Sequence, residues 1–241
     1  MLDQTIGVLC AMPVEAELLS RQLIDAETPG PYAGVSCTVG RIGAYRVVIA
    51  VSGIGKVHAA MASQMMIDRF SVTALINSGI AGGLHPALRQ LELVASTRTV
   101  QHDFDLSAMD EPKGRIPGCS APGSVTYFPA DEGLLAAFRR AMASFPQARH
   151  LEGTIASGDV FVADEALKSR LISTFDAAAA EMEGAAVAQV AQANGVPYLV
   201  IRAISDLAGE GAPLSYEAFE QKAAELSAGV VLEMLRGGLD V

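Results

Sequence analysis

Short apolar runs alternate along this chain with longer stretches of helical spacing. Residues 5–10 form the first run, nearly free of polar side chains, which predicts a strand buried on both faces. Pro13 suits the first turn of the helix that follows, and Glu15 and Glu17 stand near its N-terminus. Residues 35–52 read as two or three strands with turns at Gly40, Gly43 and Gly53. The glycine turn Ser52-Gly53-Ile54-Gly55-Lys56 then opens a helix over 57–70; it lacks the spacing of a phosphate loop. Residues 72–77 predict another buried strand. The stretch 78–83 reads as a turn at its carboxyl end, with glycines that would also let the backbone approach a ligand closely.

In the second half, residues 91–103 predict one long or bent strand, and 105–123, rich in Gly, Pro and charge, a loop. Helical spacing returns over 131–145 with Asp131 as cap, then a strand over 152–157, then a helix over 165–174 capped by Asp164. Residues 177–182 are ambiguous: alanine favours helix, but the order of elements asks for a strand. A helix over 185–194 stops at Gly195 and Pro197, a central strand follows over 196–205, and Ser215 caps a last helix over 216–235. With no internal repeat or long linker, residues 1–241 predict a single-domain three-layer α/β fold. Its core is a mixed, twisted central sheet flanked by helices.

Composition adds limits. Hydrophobic residues are 51% of the 241, and a chain this long buries roughly 70–75% of its unfolded surface, so one large core is expected. Trp is absent, leaving Ala, Val, Leu, Ile and Met to fill it. A net charge of -10 without a basic patch argues against nucleic-acid and anionic-membrane partners. No apolar run reaches the roughly 18 residues of a membrane helix, and three cysteines without a CxxC spacing favour a reducing compartment. A soluble cytoplasmic protein is expected. No cofactor or metal is expected either: His102-Asp103-Phe104-Asp105 reads as a loop hydrogen-bond network rather than a metal tetrad.

Ligands of open α/β sheets bind beyond the carboxyl ends of the strands. Those ends deliver Glu15, the 78–83 turn, Phe161, Glu183 and Asp206. Carboxylates sharing one cleft raise each other's pKa, which suits a general acid or base near neutral pH. In Glu181-Met182-Glu183-Gly184 two carboxylates flank a thioether amid apolar residues. Burying them is costly unless something binds them, and sugar hydroxyls or a salt bridge to Arg202 would both answer that need. Ser78, Ser157 and Ser205 stand in no GxSxG, so a serine nucleophile is set aside.

Six motifs then occur in order: Ala11-Met12 with Glu15, Ser52-Gly53-Ile54-Gly55-Lys56, Ala81-Gly82-Gly83-Leu84, Ser157-Gly158-Asp159, Glu181-Met182-Glu183, and Arg202-Ala203-Ile204-Ser205-Asp206. Together they resemble the bacterial methylthioadenosine/S-adenosylhomocysteine nucleosidases of the nucleoside phosphorylase superfamily, from about Ile6 to the last helix. The resemblance implies that Asp206, held by Ser205, protonates the departing purine, and that Glu15 activates water. It implies that Glu183 takes the ribose hydroxyls and Met182 packs on the sugar. Phe161 would stack on the purine and the Val162 backbone would read its edge. Met12, Ile54 and Tyr216 would line the sugar and alkylthio pocket, and Arg202 would pair with a site carboxylate. It also implies a homodimer in which Leu106, Met109 and Pro117 close the partner's pocket. Ile80 departs from the serine that many relatives carry near the sugar, and residues 109–115 also differ; some relatives act on futalosine-type nucleosides. A phosphorylase on the same fold would need cations where this chain has Pro13-Val14-Glu15-Ala16 and Ser78-Gly79-Ile80-Ala81. A silent nucleoside-binding protein would not need Glu15, Glu183 and Asp206 together. Hydrolysis is therefore the expected activity, and residues 206–213, with Gly209 and Gly211, the expected lid.

Overall fold

The computed structural model describes residues 4–209 and 211–241. Strand β1 (Thr5–Cys10) is buried along its whole length, as its apolar run predicts. Ile6, Val8 and Cys10 face one core cluster and Leu9 the other. Gly7 keeps the second face open, since a Cβ there would stand 2.8 Å from Leu75 Cδ2. Helix α1 (Pro13–Arg21) follows, then β2 (Ile24–Glu27), β3 (Ser36–Ile42), β4 (Tyr45–Val51) and α2 (Lys56–Phe70). The chain continues through β5 (Ala74–Gly83), β6 (Leu93–Gln101), β7 (Phe128–Pro129), α3 (Glu132–Ala141), β8 (His150–Ser157) and α4 (Glu165–Phe175). It ends with β9 (Ala177–Glu181), α5 (Gly184–Asn194), β10 (Tyr198–Asp206) and α6 (Ala212–Gly237).

Strands β4, β1, β5 and β10 run parallel, and β3 and β2 extend the sheet antiparallel beyond β4. On the other side of β10 the sheet continues through β6, β8 and β9. Strand β9 then returns to pair with Gly82 and Gly83 at the end of β5. The mixed sheet thus closes partly on itself around β5. Helices α1, α3 and α6 contribute to the core on one face, α2 and α5 to the core on the other. A smaller cluster packs Leu171 and Phe175 of α4 against Val100 and Ala156. No helix among the described residues is long and apolar enough to cross a membrane.

Two sequence expectations are corrected. Residues 78–83 are not a turn but the second half of β5, hydrogen-bonded to β10 and β9 on its two sides. The last helix is capped not by Ser215 but by Gly211 in the left-handed region, with φ 84°, and Pro213 occupies its first turn. The ambiguous stretch 177–182 resolves as a strand over its first five residues, β9, which fills the gap between β8 and β5. Asp131 and Asp164 cap α3 and α4, accepting from the N–H groups of Leu134 and Ala166.

Candidate active site

The site is assembled from the ends of β1, β5, β9 and β10. Glu15 stands on the first turn of α1 and is only 2% exposed. Its Oε2 accepts from the N–H groups of Ala11 at 2.9 Å and Met12 at 3.0 Å, and its Oε1 from Ile80 N–H at 3.0 Å. Burial pushes its pKa above the ordinary value; the Arg202 charge and those three N–H donors oppose the rise. Gly79 explains why β5 carries glycines here: a Cβ at that position would collide with both Arg202 Nη1 and Glu15 Oε1.

Arg202 comes from β10 and is 1% exposed. Its Nη2 binds Glu181 Oε2 closely, donates to Asn77 Oδ1 at 2.5 Å, and lies 3.4 Å from Glu183 Oε2. The two carboxylates of the Glu-Met-Glu motif are held differently. Glu181, at the end of β9, is saturated: Ser157 Oγ, Glu183 N–H and Gly184 N–H donate to it besides Arg202. Glu183 is held by the Gly55 N–H at 2.8 Å and keeps only a long contact with Arg202. Burial raises its pKa to about 7, with Arg202 opposing and Glu181 adding to the rise.

Asp206 owes its orientation to a bulge. The β10–β5 register shifts between Ile204 and Asp206, so that Asp206, not Ser205, falls opposite Gly82. Ser205 Oγ donates to Asp206 Oδ2 at 2.9 Å and Ala208 N–H to Oδ1 at 2.9 Å. Burial raises this pKa too, against those two hydrogen bonds and the nearby charge of Lys168.

Glu15, Glu181, Glu183, Ser205 and Asp206 face a cavity of about 400 Å³. Its walls bring together Met12, Glu15, Ile54, Ile80, Phe161, Val162, Met182, Glu183, Ser205, Asp206 and Tyr216. Phe161 meets Tyr216 edge to face with ring centroids 5.8 Å apart, and the Tyr216 hydroxyl donates to Glu220 at 3.0 Å. Leu106, Met109 and Pro117 lie off this cavity; Met109 ends a short 3-10 turn and is 71% exposed. Sequence reasoning missed Val160, Pro213 and Glu217 as lining residues, although each adjoins or lies within a stretch it had singled out. In 206–213, Gly209 N–H donates to Val162 O at 3.1 Å, tying that segment to the Phe161 wall; Glu210 lies outside the described residues. The His102–Asp105 stretch is a loop network: Asp103 pairs with Lys56 at 2.6 Å and Asp105 with Lys113 at 2.9 Å.

The sequence model of the phosphorylase superfamily matches residues 5–236. The 5′-methylthioadenosine/S-adenosylhomocysteine nucleosidase of Geobacillus thermodenitrificans is 38% identical over 230 residues, 95% of each chain. Among solved structures, the Neisseria meningitidis nucleosidase of the same name, in complex with methylthio-immucillin-A, superposes with a TM-score of 0.92. It is 35% identical, and the match covers 98% of this chain and 100% of that one. The futalosine hydrolase of Helicobacter pylori gives a TM-score of 0.91 at 38% identity, covering 98% of both chains.

Proposed function

The chain belongs to the phosphorylase superfamily and, within it, to the 5′-methylthioadenosine/S-adenosylhomocysteine nucleosidases, and from that premise we propose how its cavity cleaves its substrate. It is an N-glycosyl hydrolase. Its substrates are 5′-methylthioadenosine and S-adenosylhomocysteine, and its products adenine and the free thioribose sugar. Water attacks the anomeric carbon while the bond from that carbon to the purine nitrogen breaks. Glu15 takes the proton that the water loses. Asp206 gives a proton to the imidazole nitrogen of the purine, so the base departs neutral. Glu183 accepts from the ribose hydroxyls. Met182 packs on the sugar, Phe161 on the purine face, and the Val162 backbone meets the base edge, while Met12, Ile54, Ile80 and Tyr216 enclose the 5′ end.

The charge of the lining carries the choice of water over phosphate. Of the described residues that line the cavity, Glu15, Glu181, Glu183, Asp206 and Glu217 are carboxylates and none is lysine or arginine. The nearest guanidinium, Arg202, is engaged by Glu181 and Asn77. A phosphate dianion entering such a site would meet repulsion without a cation to hold it. Incubation with methylthioadenosine in phosphate-free buffer is expected to release adenine; a strict need for phosphate would overturn the proposal. The likeness to a futalosine hydrolase supports a second reading, in which a futalosine-type nucleoside is also accepted. The same release assay with futalosine tests it, and no release would remove it.

Glu183 also makes a sharp prediction. Removing the 2′-hydroxyl from the substrate should cost the wild type roughly 1–3 kcal/mol, because a buried acceptor loses its donor. In Glu183→Gln the same deletion should cost much less. Equal penalties in kcat/KM for the two proteins would take Glu183 off the sugar.

Assembly completes the reading. We expect a homodimer in which Leu106, Met109 and Pro117 serve the neighbouring pocket, and the exposure of Met109 accords with such a use. Sedimentation that finds an active monomer at assay concentration would refute it. Three free thiols, Cys10, Cys37 and Cys119, accord with a reducing cytoplasmic setting.

A further inference from the structure

Three segments distant in the chain meet in a closed ring of hydrogen bonds outside the cavity. Asp103, just past the end of β6, accepts from Lys56 Nζ through Oδ1 at 2.6 Å and from Asp159 N–H through Oδ2 at 2.9 Å. Asp159 Oδ1 in turn accepts from Lys56 N–H at 2.9 Å. That N–H belongs to the first residue of α2 and has no intrahelical acceptor, so Asp159 caps the helix from a segment a hundred residues away. Gln101 Oε1 takes a further bond from Lys56 Nζ at 3.3 Å. The Lys56–Asp103 pair is largely shielded, its side chains 17% and 27% exposed, so solvent screens it less than an ordinary surface pair.

None of the three ring residues lines the cavity, but their neighbours do. Gly55 precedes Lys56 and gives its N–H to Glu183 Oε1. Ile54 lines the cavity from the same turn, and Val160, Phe161 and Val162 follow Asp159 along its wall. The ring also explains Gly55, which has φ 101° and where a Cβ would stand 3.0 Å from Asp159 Oδ1.

We infer that Asp103 is a positioning residue for the reaction: through Lys56 and Asp159 it fixes the Gly55 N–H on Glu183 and the Phe161 wall in one frame. The inference rests on the assignment of Glu183 to the ribose hydroxyls. Asp103 touches no reacting atom. It acts by removing freedom from two segments that do, and misplacement of such segments is known to cost up to about 100-fold in rate.

The test is steady-state kinetics of Asp103→Ala, with Asp103→Asn and Lys56→Gln as milder variants should the alanine protein fail to fold. Far-ultraviolet circular dichroism and the unfolding temperature establish that each protein is folded. The expected result is a loss of about 10–100-fold in kcat/KM for methylthioadenosine in Asp103→Ala. Alongside it, the penalty for a 2′-deoxy substrate should shrink several-fold relative to wild type. A purely structural role would leave that penalty unchanged. Wild-type kcat/KM in folded Asp103→Ala, or a loss with the full 2′-hydroxyl penalty retained, overturns the inference. If Glu183→Gln itself leaves the penalty unchanged, the ribose assignment fails first, and the kcat/KM of Asp103→Ala then judges Asp103 alone.

Discussion

Asp206→Asn is expected to fold normally and to lose about 10²–10⁴ in kcat for adenine release. The asparagine fills the same space. Its carbonyl can accept from Ala208 N–H, and the Ser205 hydroxyl, which now donates to Asp206 Oδ2, can rotate to accept from the new amide. What disappears is the proton for the departing purine. Burial raises the Asp206 pKa and so keeps the group protonated further toward neutral pH. The wild-type kcat/KM should therefore fall as pH rises through that raised value, and Asp206→Asn should lack this limb. Stability has a matching sign. A carboxyl whose folded pKa is raised contributes stability below its ordinary pKa and loses it as pH climbs through the raised one. The permanently neutral asparagine should thus be at least as stable as wild type in mildly alkaline buffer, as read by unfolding temperature. Near-normal turnover in the mutant would remove Asp206 from the chemistry.

The order of strands and helices was legible because each core strand is an apolar run bounded by polar or glycine-rich residues, as in β1 and β10. Placing carboxylates at strand ends then located the cavity, since Glu15, Glu183 and Asp206 do converge there. The errors come from the site itself. Glycines at 79, 82 and 83 read locally as a turn, yet all three lie in the paired strand β5; they are glycines because Arg202, Asp206 and Ile204 occupy the space their side chains would need. That reason lies about 120 residues away in the chain and has no local signal. The short strands β2 and β7 went unnoticed for another reason: β2 is exposed throughout, and β7 is two residues long. That Glu181, rather than Glu183, is the main partner of Arg202 was equally hidden. It depends on which carboxylate the α5 N-terminus and Ser157 can reach, and only the folded chain decides that.

The second large effect is expected at Glu15. In phosphate-free buffer the wild type should release adenine and free thioribose, and Glu15→Gln should lower that release by about 10²–10⁴ or to background. Water is a weak nucleophile, so a hydrolase needs a base beside the anomeric carbon, whereas phosphate arrives already anionic. Burial favours the neutral acid at Glu15, but three N–H groups and the Arg202 charge favour the carboxylate. All three of those donors require acceptors, which a carboxylate supplies on both oxygens. A glutamine cannot do the same: its NH₂ must face either Ile80 N–H or the pair from Ala11 and Met12, leaving donor against donor. That mismatch should cost about 1–3 kcal/mol of stability, a separate loss from the missing base. Glu15→Ala, which leaves the donors open to water instead, gives the control: both mutants should be inactive, but only glutamine opposes donor to donor. Retention of activity in either folded mutant would end the general-base assignment. A sugar 1-phosphate as product, formed only when phosphate is added, would place the nucleophile elsewhere and leave the acidic lining of this cavity without a purpose in catalysis.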